Sequence, residues 1–160
     1  EYYLGADFDG LIKNDCWQLP VGILKFLRKK FKTGIVTGRP RIEALYCLKR
    51  FDAEKYFQVV VTMDDLPDRR GKPDPLGIQL ALKRLGVSCG WYIGDTVDDM
   101  KAAVGAGVIP IGLIHDSDHY RTQCSFLLAS GAEQIVKDIN ELRRIFYEKK
   151  STNKKKNQGD

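Results

Sequence analysis

Tyr2-Tyr3-Leu4-Gly5-Ala6-Asp7-Phe8-Asp9-Gly10 is an apolar run that ends in two carboxylates at i and i+2. Such a run, stopped by charge, reads as a buried strand. Alternation along the strand places Asp7 and Asp9 on one face. Two carboxylates that close repel each other, so a buried pair needs a shared proton or a bound cation. Gly10 permits a tight chain reversal beside them. Asp and Gly are also ordinary turn residues, so the stretch alone reads equally as a plain strand exit.

Three later segments decide between the two readings. Gly34-Ile35-Val36-Thr37-Gly38 is a second apolar run, ending in a hydroxyl. Gly71-Lys72-Pro73-Asp74-Pro75 holds a lysine in a proline-bounded turn. Trp91-Tyr92-Ile93-Gly94-Asp95-Thr96-Val97-Asp98-Asp99 is a third apolar run, ending in an acidic cluster.

Between these segments strands and helices alternate, the pattern of a three-layer α/β fold with a doubly wound parallel sheet. Pro20 opens a helix with Ile23, Leu24, Leu27 and Phe31 on one stripe, and Pro40 opens a second with Ile42, Leu45 and Leu48. Gln58–Thr62 is a β-branched strand. Asp74 and Pro75 start a helix that buries Ile78, Ala81, Leu82 and Leu85 and stops at Gly86. Asp95 leads into a helix with Met100, Ala103 and Val104, followed by a strand over Val108–Leu113. Ala132–Val136 adds a short edge strand before a last helix with Ile139, Leu142 and Ile145. In such a sheet ligands bind beyond the carboxyl ends of the strands. Asp7, Thr37, Lys72 and Asp95 all fall at those ends or in the loops just past them.

Taken in order, Asp-x-Asp-Gly, a strand-end Thr, Lys-Pro and Gly-Asp-x-x-x-Asp resemble the four-motif signature of the haloacid dehalogenase superfamily, in its phosphoglycolate-phosphatase-like branch. The likeness runs from about Tyr3 to Leu113 and more weakly to Arg144. It implies a Mg²⁺-dependent phosphatase that works through an aspartyl-phosphate. Asp7 would be the nucleophile, and Asp9 would protonate the leaving alkoxide and then activate water. The metal would be held by Asp7, the main chain of Asp9, and Asp95, with Asp99 a ligand or one step behind it. Thr37 and Lys72 would contact the phosphoryl group, which Gly10 and Gly38 leave room to approach. In this family dehalogenases lack that second acid and transport ATPases carry Thr there, so Asp9 points to phosphoryl chemistry with an alcohol leaving group, and hence to a phosphatase.

Two departures from the family pattern stand out. Leu11 follows Gly10 where relatives carry Thr or Val. Gly10 to Gly34 holds little beyond a loop and one helix, and Thr37 to Lys72 has no room for an inserted domain, so the chain reads as capless or nearly so. A cap excludes water and reads the leaving group. Without one the site is open, suited to a small phosphorylated metabolite enclosed by a second subunit of a homo-oligomer. Two other readings stay open: a phosphatase acting on a nucleic-acid end or phosphoprotein, and a catalytically silent module of the same fold.

The 160 residues, 43% hydrophobic and 29% charged, suit one domain with a sizeable core. We read residues 1–147 as the hydrolase core and 148–160 as a basic, disordered tail that carries much of the net charge of +5. No apolar stretch is long enough to span a bilayer. The chain begins at Glu1 without methionine, which leaves a removed targeting segment open. Cys16, Cys47, Cys89 and Cys124 are scattered, which reads as reduced, mostly buried thiols and a cytoplasmic setting. His115-Asp116-Ser117-Asp118-His119 reads as a polar loop near the entrance, which Phe8 and Trp17 line unless they pack in the core.

Overall fold

Two parallel sheets, rather than one, frame the part of the chain that the computed structural model describes, residues 3–114 and 119–146. In the first, β1 (Gly34–Val36) pairs with β2 (Val59–Val61). In the second, β4 (Ile109–Leu113) lies between β3 (Trp91–Gly94) and β5 (Gln134–Val136). The helices are α1 (Val21–Lys30), α2 (Arg41–Arg50), α3 (Leu76–Leu85), α4 (Val97–Gly105) and α5 (Tyr120–Ala129), and residues 142–146 are also helical. None of the described helices is long and apolar enough to cross a membrane.

Strand alternation sorts the core into two layers. Trp91, Ile93, Ile111, Leu113 and Val136 pack with Ile23 of α1 and with Leu142, Ile145 and Phe146. Tyr92 and Ile135 turn the other way, toward the layers of Ile78, Ala102 and Ala103, and of Met100 and Leu127. Helices on both faces of parallel strands make this the expected three-layer α/β arrangement. α1 and α3 join the two sheets: Leu24 packs in one cluster with Ile35 and Val60 and Ile23 in another with Ile111 and Val136, while Ile78 and Leu82 share a cluster with Val36 and Tyr92.

Local chemistry sets the helix ends. The Leu76 N–H donates to Asp74 Oδ1 at 2.9 Å, and Gly86 closes α3 in the left-handed conformation, φ +62°. Asp65 is a hub for the first sheet: it accepts from the Thr62 N–H and hydroxyl, from Arg41 of α2 through both oxygens at 2.6 Å, and from Arg84 of α3 at 2.9 Å. Burial raises the Asp65 carboxyl's pKa, but the Thr62 and arginine bonds outweigh it and hold the group well below the ordinary carboxylate range.

The first strand is the main correction. Residues 3–10 form turns, with the Gly10 N–H bonded to Leu4 O and the Ile12 N–H to Tyr3 O. Gly5 and Phe8 both take positive φ, +71° and +58°, which an extended strand excludes. The Asp9 side chain folds over Gly5, where a methyl group would collide with it. The Phe8 ring stacks on Tyr46 of α2, centroids 4.3 Å apart, instead of entering the core. A stacking partner 38 residues away thus outweighs the local apolar pattern.

Smaller corrections follow from the same tertiary control. α2 buries Ala44 and Leu48, whereas Ile42 and Leu45 of the expected stripe face outward. Val104 of α4 is also exposed. Cys16 and Cys89 are exposed rather than buried, and all four thiols are free. The basic tail and residues 115–118 of the polar loop lie outside the described residues.

Candidate active site

β1 ends in Thr37 and Gly38. The Thr37 N–H donates to Val61 O at 2.9 Å, so the ladder with β2 runs one residue past the strand. The hydroxyl oxygen of Thr37 accepts from the Arg39 N–H at 3.2 Å, which leaves its proton free to be donated. Gly38 has no side-chain neighbour at its Cα, so its backbone is open to a ligand.

Lys72 is held over the end of β3. Its Nζ donates to Asp99 Oδ1 at 2.5 Å and lies 5.9 Å from the Tyr92 ring centre. Tyr92 Oη donates to the same oxygen at 3.1 Å. Asp99 Oδ2 accepts from the N–H groups of Asp95 and Thr96 at 3.2 and 3.1 Å and from the Thr96 hydroxyl at 2.7 Å. The Asp99 N–H returns a bond to Thr96 Oγ1, closing a reciprocal cap at the start of α4. Gly94 makes room for this carboxylate, since a Cβ there would strike the Asp99 side chain. Burial raises the Asp99 pKa, but the Lys72 and Thr96 bonds prevail and hold it below its ordinary value. Burial, and then the Asp99 charge, push the Tyr92 phenol well above its usual range, so Tyr92 is a neutral donor.

Thr37, Gly38, Gly71, Lys72 and Asp74 line a cleft between β1 and the start of α3. It encloses only about 10 Å³, room for roughly one water. Anything larger would meet it only at its rim, where Thr37 and Lys72 are among the lining residues. The exposed Asp95 carboxylate stands at the end of β3, next to the Asp99 network.

Thr37, Gly38, Lys72, Asp95 and Asp99 are thus brought to the strand ends, as the sequence implies. Asp7, Asp9 and Gly10 are not part of that network. Both aspartates are exposed on the turn at residues 3–10, and the Gly10 N–H is spent on Leu4 O. The turn is nonetheless anchored near the site: Arg39, two residues past Thr37, donates from Nη1 to Tyr3 Oη at 2.6 Å and to Asp15 Oδ2 at 2.5 Å. Tyr3 Oη also donates to Asp15 Oδ2 at 2.7 Å.

Among the described residues no three His, Cys, Asp or Glu side chains converge to hold a metal. Asp99, expected as a ligand or just behind one, accepts five hydrogen bonds here, spread over both of its oxygens. It holds the Lys72 ammonium in place. Sequence reading missed Tyr92, Tyr3, Asp15 and Arg39. Only the Thr96-x-x-Asp99 spacing signals the cap beforehand.

The model of the haloacid dehalogenase-like hydrolase family matches residues 21–113, a match that begins after the Asp7–Gly10 motif. A phosphorylated carbohydrates phosphatase of Thermotoga maritima is 36% identical over 129 residues, 76% of this chain and 57% of that protein. Phosphoglycolate phosphatase of Escherichia coli is 34% identical over 116 residues, 71% of this chain and 44% of that protein. The crystal structure of a hydrolase from Pseudomonas syringae superposes with a TM-score of 0.67 at 28% identity, covering 81% of this chain and 59% of that one. The chain spans little more than half the length of the curated relatives it matches, or less.

Proposed function

The chain belongs to the haloacid dehalogenase-like hydrolases, and on that premise we propose that it hydrolyses a phosphate monoester of a small metabolite. The single observation that carries this reading is the convergence of Thr37, Gly38 and the Asp99-held Lys72 at one edge of the strands. Two relatives named as phosphatases of small phosphorylated molecules support it.

Asp7 is the proposed nucleophile. Its carboxylate would attack phosphorus as the ester P–O bond breaks, and the departing alkoxide would take a proton from Asp9. Water, giving its proton to Asp9, would then attack the aspartyl-phosphate to release phosphate and restore Asp7. Lys72 offsets charge on the phosphoryl oxygens, and the Thr37 hydroxyl donates to one of them. The reading requires the turn at residues 3–10 to bring Asp7 from its exposed position to the Lys72 rim. The turn is tied to Arg39, two residues past Thr37, through Tyr3. A Mg²⁺ requirement belongs to the same proposal, with Asp7, the main chain of Asp9 and Asp95 to hold the ion.

Hydrolysis of p-nitrophenyl phosphate, with and without Mg²⁺, in the wild type and in Asp7→Asn tests the reading. Turnover that needs the metal and disappears in the variant is expected. A second reading, a non-catalytic module of the same fold, rests on the exposed placement of Asp7 and Asp9. A folded wild type with no turnover at any Mg²⁺ concentration would select it.

A further inference from the structure

A cavity of about 330 Å³ opens between β1, α2 and residues 15–19, within the size range of small-molecule sites. Leu19, Ile35 and Leu48 line it, with the rings of Trp17 and Phe51, 5.7 Å apart. Thr37 lines both this cavity and the Lys72 cleft. A phosphoryl group bound at Thr37 would therefore stand next to the cavity.

The polar lip of the cavity is already neutral. Arg39 Nη1 is paired with Asp15, which also accepts from Tyr3 Oη and lies 3.4 Å from the Cys47 thiol. The lip brings one guanidinium and one carboxylate into contact, so it offers no net charge to an anionic leaving group. An apolar body with at most a hydroxyl is what these walls accept without leaving a charge unpaired.

We propose that this cavity holds the alcohol part of the substrate, and that the alcohol is uncharged and apolar, of one- or two-ring aryl size. The inference rests on the phosphatase reading and specifies its substrate class. In hydrolysis the ester P–O bond breaks, the alcohol departs protonated into the cavity, and the oxygen of water ends on phosphorus.

The probes are 1-naphthol, 1-naphthyl phosphate and 2-phosphoglycolate, used with the full chain. Calorimetry should show saturable one-to-one binding of 1-naphthol with a negative heat-capacity change. Ala44, buried on the cavity side of α2, becomes leucine in the blocking variant. Ala44→Leu should weaken naphthol at least about tenfold, the scale of one or more methylenes in an apolar pocket. Trp17→Ala, on a half-exposed segment, is the second variant and should weaken naphthol as well. In turnover, kcat/KM should favour 1-naphthyl phosphate over 2-phosphoglycolate by about tenfold or more, and Ala44→Leu should collapse that ratio. Naphthol that does not bind, or binds equally to wild type and both variants, overturns the proposal. A preference for 2-phosphoglycolate overturns it while leaving the phosphatase reading intact. Naphthol binding that both variants weaken, with neither ester hydrolysed, upholds the cavity's ligand class and removes the phosphatase reading.

Discussion

Lys72 Nζ stands 2.5 Å from Asp99 Oδ1, in a contact that leaves 24% of the lysine side chain and 3% of the aspartate exposed. The lysine therefore has two tasks: to present charge at the cleft and to compensate a buried carboxylate. Removing it leaves Asp99 with Tyr92, Thr96 and the Asp95 N–H. Lys72→Met should cost about 1.5–3 kcal/mol, the range for a hydrogen bond to a charged group. Urea unfolding of Lys72→Met, Asp99→Asn and the double variant checks this. The double variant should recover part of the loss, with a coupling of at least about 0.5 kcal/mol.

Gly94 is needed because the Asp99 carboxylate occupies the space where a Cβ would stand. Gly94→Ala should destabilise by about 1–3 kcal/mol, the usual cost of overpacking. It should also disturb Lys72, since Asp99 has to move. A stability within experimental error of the wild type would show that Asp99 is not packed against β3.

Asp65 and Asp99 make the acid limb of stability steep. Both carboxyls have folded-state pKa values below the ordinary one. Between the unfolded value, about 3.9, and the lower folded values, the unfolded state binds more protons. Stability from these groups is therefore fully present above about pH 4 and is lost as pH falls through the folded values. Thermal unfolding from pH 6 to pH 2 should show Tm falling more steeply in the wild type than in Asp65→Asn or Asp99→Asn.

α3 was legible in the sequence from end to end, because Asp74 and Gly86 act through their own neighbours in the chain. Thr37, Lys72 and Asp95 were legible as a group for a similar reason: parallel strands bring their carboxyl ends to one edge. The first strand was not. Its apolar residues satisfy the local pattern, but Phe8 finds Tyr46, and Tyr3 finds Arg39 and Asp15, across loops that no periodicity describes. The outward turn of Ile42 and Leu45 has the same origin. The face of α2 that meets Ile35 and the cavity is fixed by the sheet, not by the helix's own stripe.

Asp7 separates chemistry from stability more cleanly than any other residue of the site. It is exposed and lies outside the Lys72–Asp99 network, so Asp7→Asn should leave unfolding within about 0.5 kcal/mol of the wild type. As the proposed nucleophile it should nonetheless be indispensable, with turnover of p-nitrophenyl phosphate falling to background. Lys72→Met, by contrast, should lose activity and stability together. Measured side by side, the two variants distinguish a turn that reaches the cleft during catalysis from one that stays on α2. Full activity in Asp7→Asn would place the nucleophile elsewhere and leave the turn a structural feature held by Phe8 and Tyr46.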